Sequence, residues 1–454
     1  MFALERWPTA RATNLEVSPK ERALLKSISW NFVGWVDLED VGFEGTPIDA
    51  RHHTKEFLAT AYGSFEKMAR TMDPLGYDAL FATEHHFQPE GIEVFPNLQL
   101  LGIHLAGITK NLRFGTAVNI LPQWHPLRLA EDYAMADILT RGRVIFGVGR
   151  GTQTREAECL GAPMSDQRAN RALMADNLEL LMKAFNEEHF SHYSENYNIP
   201  PRDSYYRGKL MDQITLVPKP LYNKEIWQPI STGNAQGVEL QARYGIKGIH
   251  PLIKIDGDEI DPICLMYQEA ARKFGKDLGV GENMAAYLYC HMAESREKAT
   301  AEVEIFEEES FKRQAGIGGL PTDPSFQGRF MHSVEDLMAL GHPSTARATA
   351  KKMGYKPLAE RAKDNSALLY GTADEIIASL KRLEEKYPAL ETLILHPPEL
   401  THSGIMLEQM ERFAKEVMPA FPAAVQKDRV WPDLLANPEK IERYVYEPVV
   451  EAAE

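Results

Sequence analysis

Short β-branched apolar runs alternate with longer segments of helical period along most of this chain, and few folds tolerate that rhythm. SISWNFVG (27–34), YDALFAT (77–83), LRFGTAVNIL (112–121) and RVIFGVG (143–149) read as strands. Between and after them, residues 57–76, 98–109, 127–140 and 168–185 carry helical periodicity. Strands that follow one another through helices of this length must lie parallel, so the repeating unit is βα. IWQPISTG (226–233), MAAYLYCHMA (284–293) and TLILHPP (392–398) continue the series, with a weaker strand around 246–254. Helices are expected at 235–245, 262–274, 295–314 and 372–387. Eight βα units predict an α/β fold, a closed (β/α)8 TIM barrel with insertions.

Two segments break the rhythm: 187–213, polar and aromatic-rich, and 315–370, which opens on GIGGLPTDPSF. Long insertions in a compact domain tend to be lids or binding loops. Both are expected to cover a site. Phe190, Tyr193, Tyr197, Tyr205, Tyr206 and Met211 suggest an apolar pocket wall, although such residues are commonly ordinary packing. The chain is expected to divide into an arm (1–26), the barrel (27–421) and a tail (422–454) that either lies over the surface or onto a second subunit or is a partly ordered end.

Composition excludes some partners. A net charge of −15 disfavours nucleic acid and anionic membrane, which require clustered cations. The three cysteines, Cys159, Cys264 and Cys290, form no close pair, which fits a reducing cytoplasm. The first 25 residues hold no apolar run long enough for a signal peptide or a membrane span.

Chemistry concentrates where strands end, because the C-terminal rim of a barrel gathers its active site. ATEHHF (82–87) ends the second strand, placing Glu84 and His85 at the mouth. A bare Glu-His-His matches neither the i, i+2 nor the i, i+4 spacing of metal ligands, so no metal is expected. His85 suits a general base near neutral pH; a pair of histidines bonding loop carbonyls is the bland alternative. FGVGRG (146–151) offers glycines for close approach and Arg150 for a phosphate, but it lacks the third glycine of a dinucleotide loop. Asn119 could hydrogen-bond a planar ring, whereas His125, Arg128 and Glu131 read as architecture. Thr232, Gly233 and Asn234 end a strand and open a helix whose free amides could hold an anion.

These pieces resemble the bacterial luciferase-like, flavin-dependent monooxygenases. The resemblance rests on ATEHHF (82–87), the block RFGTAVNILPQWHPLRLAEDYAMADILTRGRVIFGVGRG (113–151), RALM (171–174), GTADEIIASL (371–380) and ERFAKEVMPAF (411–421), and it spans about residues 27–421. It implies a TIM barrel, usually dimeric, with FMN at the strand ends. His85 takes the place of the catalytic histidine. Ala117 and Val118 match strand-three residues under the flavin ring, where a non-proline cis peptide can occur. Gly149 and Arg150 match the loop that meets the flavin and its phosphate. Arg171 matches a second phosphate-side arginine through RALM; Arg168 competes if distance from Gly161 governs.

There are departures from the family. Gly233 and Asn234 stand where an acidic residue and a serine are common, and Gly149 replaces the reactive cysteine of true luciferases, so light emission is not expected. The implied activity is a two-component monooxygenase. A separate flavin reductase supplies reduced FMN, dioxygen is the oxidant, and one oxygen atom enters a small apolar organic substrate. A deazaflavin-dependent dehydrogenase and a non-catalytic flavin-binding protein are the alternatives.

Overall fold

The structure is a computed structural model that describes residues 25–47, 51–230, 235–251, 253, 255–317, 334–342, 344–363 and 367–441. Thr232, Gly233 and Asn234, most of the expected N-terminal arm, residues 318–333 and the end of the tail lie outside the described residues.

Eight parallel strands form the ring: β1 (Ser27–Phe32), β2 (Ala79–Ala82), β3 (Arg113–Thr116), β4 (Val144–Gly149), β5 (Ile226–Pro229), β6 (Lys247–Pro251), β7 (Met284–Met292) and β8 (Thr392–His396). Each pairs with its neighbour in sequence, and β8 pairs with β1, so the sheet has no edge. The main outer helices are α1 (Thr60–Leu75), α2 (Leu98–Ile108), α3 (Pro126–Thr140), α4 (Gln167–Asn186), α5 (Ala235–Tyr244), α6 (Pro262–Arg272), α7 (Arg296–Ile317), α8 (Ala373–Lys386) and α9 (Ser403–Glu416). Local chemistry sets several boundaries. Pro126 opens α3 at a position where a missing N–H is harmless. Gly76, at φ +91°, closes α1. Thr372 and Glu375 cap α8 reciprocally.

Strands buried on both faces explain the near-continuous apolar runs of the sequence. In β2, Ala79 and Phe81 point into the barrel, while Leu80 and Ala82 meet the helical shell. Phe81 and Trp227 fill the interior, with ring centroids 5.6 Å apart. Gly115 makes room for Phe81, because a Cβ there would lie 2.1 Å from its ring.

Four expectations change in detail. The run 112–121 is not one strand: it breaks after Thr116, the Ala117–Val118 peptide is cis, and Asn119–Ile120 pairs separately with Val148 and Gly149. The weak sixth strand exists, held between β5 and β7. Residues 57–76 form a short helix, Lys55–Leu58, and then α1. The second insertion contributes a strand, Leu368–Gly371, that extends the pairing of Tyr289–Met292.

The first insertion requires a larger correction. It follows α4, which has carried the chain back toward the N-terminal rim, so it cannot simply roof the opposite end. Its two small hairpins, His192–Tyr193 with Asn198–Ile199 and Tyr205–Tyr206 with Lys209–Leu210, lie outside the barrel. Asp176 of α4 clamps the first, accepting from Ser194 Oγ and Asn196 Nδ2 at 2.7 Å and facing His192 Nε2 at 2.6 Å. Phe190 packs into the α3–α4 shell, and Tyr205 and Tyr206 are exposed. These aromatics are not a pocket wall.

The described part of the tail closes the N-terminal rim. Arg429 and Arg113 both reach the buried carboxylate of Asp78, whose pKa their charges, outweighing burial, hold well below the usual range. Trp431 Nε1 donates to Lys110 O at 2.7 Å. Among the described residues no helix is long and apolar enough to cross a membrane.

Close packing at β4 yields a test. A Cβ on Gly147 would lie 1.9 Å from the Thr116 carbonyl, whereas one on Gly63 of α1 meets nothing within 4 Å. Gly147→Ala is expected to destabilise the protein by about 3 kcal/mol through forced backbone movement. Gly63→Ala is expected to stabilise it by about 0.5–1 kcal/mol through helix propensity. Urea unfolding midpoints of the two variants check both signs.

Candidate active site

A cavity of about 460 Å³ opens at the C-terminal ends of the strands. Thr83, Glu84 and His85 supply one wall, Ala117, Val118 and Ile120 a second, and Gly149–Thr152 a third. Arg171, Met174 and Leu178 of α4, Gln228 of β5 and Val238 and Gln241 of α5 complete it.

The chain turns out of β2 at Thr83, so Glu84 and His85 leave strand geometry at the rim. Glu84 is fully buried and organises the loop after β3, accepting from Trp124 Nε1 at 2.9 and 3.0 Å and from the Ile120 amide at 3.2 Å. It also faces His86 Nε2 at 3.1 Å. Although it lines the cavity, its oxygens are engaged by protein groups, so its role is to hold the wall rather than to meet a ligand directly.

His85 sits between two carboxylates. Its Nδ1 lies 2.9 Å from Glu156 Oε1 and its Nε2 lies 3.2 Å from Glu93 Oε1. Burial alone would lower its pKa. The charge of Glu93 and the hydrogen bond and charge of Glu156 outweigh that, Arg313 offsets them in part, and the net shift is above the ordinary 6.5. The two carboxylates therefore favour the charged imidazole more than in a free histidine, an arrangement that suits donation of a proton better than the general base expected from the sequence.

Glu93 is ionised for a matching reason. Burial opposes its charge, but Arg313 first, then His85 and a hydrogen bond from Gln88, bring its pKa down to about 2. Gln88 Nε2 donates to Glu93 Oε2 and to Glu156 Oε1, each at 3.0 Å, and Gln153 Nε2 donates to Glu93 Oε2 at 2.8 Å. Ligand atoms of His85, Glu93 and Glu156 all lie within 4.8 Å of one another, a spacing a cation could also use. A metal there would have to displace the imidazolium proton and compete with Arg313 and two amides, so the donor set favours a proton.

The glycines of FGVGRG serve the protein before any ligand. A Cβ on Gly149 would lie 2.3 Å from Val118 Cγ2, and one on Gly151 would lie 2.7 Å from Ile120 Cγ2. These absences let the end of β4 press against residues 118–120 and carry Arg150 into the cavity wall. Arg150 Nη1 donates to Asn170 Oδ1 at 2.9 Å and to Gln167 Oε1. Arg171 is exposed on α4, lines the cavity and makes no ion pair among the described residues; Arg168 does not line it.

Asn119 is corrected outright. It is fully buried, its Nδ2 donates to Thr116 Oγ1 at 3.0 Å and Gly147 O at 2.8 Å, and its Oδ1 accepts from Gln99. It pins the broken third strand to β4 and has nothing left for a ligand. Glu93, Glu156, Arg313, Gln88 and Gln153 were missed, because they converge on His85 from three separate stretches of chain.

The profile of the luciferase-like monooxygenase family matches residues 43–389, more than half of the sequence. The chain belongs to the luciferase-like monooxygenase family. The alkanal monooxygenase alpha chain of Aliivibrio fischeri is 25% identical over 328 residues, 68% of this chain and 87% of that one. The oxygenase component of the flavin-dependent trigonelline monooxygenase of Acinetobacter baylyi is 27% identical over 369 residues, 79% of this chain and 90% of its own. Among solved structures, the oxygenating constituent of 3,6-diketocamphane monooxygenase from Pseudomonas putida, in complex with FMN, aligns with a TM-score of 0.57 at 20% identity, covering 87% of this chain and 98% of that one. An F420-dependent secondary alcohol dehydrogenase aligns at 0.58 and 14% identity, covering 88% and 99%. At those identities the structures establish the barrel alone. Family and relatives together make this chain a flavin monooxygenase by class.

The raised pKa of His85 gives a signed expectation. Its pairing stabilises the fold fully below about pH 6.5, the unfolded value, and that contribution is lost as pH rises through the higher folded value. The melting temperature of the wild type should exceed that of His85→Gln most at the acidic end of pH 6–9. The gap should shrink toward the alkaline end, as read by thermal scans.

Proposed function

We propose that this chain is the oxygenase component of a two-component monooxygenase. It takes reduced FMN from a separate flavin reductase and inserts one atom of dioxygen into a small apolar organic substrate, the other atom leaving as water. The carrying observation is the make-up of one cavity: an imidazole held between two carboxylates, an arginine from the loop after β4 and another from α4, with apolar side chains among them.

The lining suits a flavin mononucleotide. The buried Oε1 atoms of Gln228 and Gln241 have no partner among the described residues, and both residues line the cavity, so each could accept from a ring N–H or a hydroxyl. Arg171 and Arg150 would hold the phosphate. Ala117, Val118 and Gly149 would make the surface on which the ring rests. Bound reduced FMN would supply the electrons that activate dioxygen.

The remaining steps belong to the protein. Val118, Ile120, Met174, Leu178 and Val238 make an apolar lining that keeps water from the reacting atoms and suits an apolar substrate. His85 holds a proton at the cavity wall, beside Glu156, and delivers it to the oxygen atom that leaves or to the oxidised product. The free thiols of Cys159, Cys264 and Cys290 suit a reducing cytoplasm. Exposed Leu100 of α2 and Met135 and Leu139 of α3 supply apolar surface suited to a homodimer.

Mixing the protein with reduced FMN under oxygen, with aldehydes, ketones and hydrocarbons as trial substrates, tests this reading. Oxygenated product should form at the expense of reduced FMN. His85→Gln should keep FMN affinity within about threefold and lose coupled turnover by about 100-fold, with hydrogen peroxide released instead. Arg171→Ala should weaken FMN binding by about tenfold. Binding of a reduced deazaflavin but not of reduced FMN would replace the monooxygenase with a hydride-transferring dehydrogenase.

A further inference from the structure

Helix α7 is an unusual cover. It is inserted between β7 and β8, and its second half lies across the loops that follow β1, β2 and β8. Its inner face is charged rather than apolar. Glu309 is fully buried against Arg51 at 2.5 Å and Lys312 at 2.8 Å, and it accepts from the Gly42 amide at 3.0 Å. Lys312 Nζ donates to Gly42 O at 3.1 Å. Arg313 is buried one residue further on and points into the network around His85.

The Glu93 carboxylate is divided between two cations. Its Oε1 faces His85, and its Oε2 faces Arg313 Nη2 at 2.5 Å. On its outer side Arg313 Nη1 reaches Glu399 Oε2, in the loop after β8, at 3.2 Å. Ser310 Oγ, one helical turn earlier, donates to the same Glu399 oxygen at 2.7 Å. We propose that Arg313 is a positioning residue: by sharing Glu93 with His85 it weakens the hold of that histidine on its proton, so that the proton is released readily only when α7 is docked across the mouth. The inference rests on the monooxygenase reading above and deepens it, by assigning control of the proton to the cover.

Charge bookkeeping gives the direction. The charged groups around His85 are Glu93 from its own loop, Glu156 from the segment after β4 and Arg313 from α7; Glu84 and His86 pair with each other. With α7 docked, Glu93 and Glu156, together with Glu399 on the outer side of Arg313, face two cations. Without Arg313 the carboxylates beside His85 lose their competing cation and bind the imidazolium proton more tightly. Docking thus makes His85 the stronger acid when water is excluded from the cavity, the condition in which a proton donor is useful.

NMR titration of the full chain, labelled at histidine imidazole carbons, reads this without cofactor or turnover, the His85 signal being assigned by its loss in His85→Gln. In folded Arg313→Gln the His85 midpoint should move to higher pH, and in Arg313→Lys it should return toward the wild-type value. An unmoved or lowered midpoint in Arg313→Gln overturns the proposal. If Arg313→Gln does not fold, Glu399→Gln decides. It keeps Arg313 on Glu93 but removes the outer counter-charge, so a lowered midpoint supports the coupling and an unmoved one refutes it. The alkaline limb of kcat/KM should follow the same shifts. Midpoints that move as stated in a protein showing no oxygenation would refute the function and leave the coupling standing.

Discussion

Pairing of Ile226 and Trp227 with Phe146 and Gly147 joins β5 to β4 and makes the two halves of the sheet continuous. Together with β8 against β1 it leaves a ring in which every strand points the same way. The loops after all eight strands must then converge on one rim. Residues as distant as His85, Glu156, Arg313 and Glu399 become neighbours because the ring has only one such end. Gly147 and Gly149 matter to this closure, since the end of β4 must meet both β5 and the broken third strand at contact distances that a side chain would forbid.

Once the groups share a rim, desolvation decides how they arrange. An isolated charge at that depth would be prohibitively costly, and each of the buried ions near His85 is paired with an opposite one. The pairing is asymmetric in its consequences. The pKa of Glu93 falls to about 2, while that of His85 rises above its ordinary value. A network that satisfies buried charges therefore also favours the charged form of the imidazole beside the cavity. His396, at the end of β8 and more deeply buried, makes no ion pair among the described residues and is pushed down to about 4 chiefly by burial.

The first insertion and helix α7 lie at opposite rims for a topological reason. A segment that follows a strand emerges at the active rim, and one that follows a returning helix emerges at the opposite rim. The hairpins after α4 accordingly dress the flank of α3 and α4, held by Asp176, despite an aromatic composition suited to a pocket. Helix α7 follows β7 and crosses the mouth, although its Glu-Glu-Glu-Ser-Phe-Lys-Arg run has the composition of a solvated face. Composition gave the first insertion a covering role, whereas connection order gives it to α7, which the sequence marks only as a helix near 295–314.

What the sequence by itself determined is what short-range patterning controls. The period of the apolar residues set the parallel barrel, Pro126 and Gly76 set helix ends, and the position of His85 just past a strand set it on the active rim. ATEHHF and FGVGRG were legible because each lies within one loop. Only the tertiary structure decided which atoms meet. Asn119 sits beside the cavity wall in sequence, yet it spends its amide on Thr116 and Gly147. Arg313 lies more than two hundred residues from His85, yet it governs the carboxylate that His85 touches. Local pattern encodes direction and burial, but the partner of a buried charge is set by three-dimensional closure, and the upward shift of His85 follows from such partners.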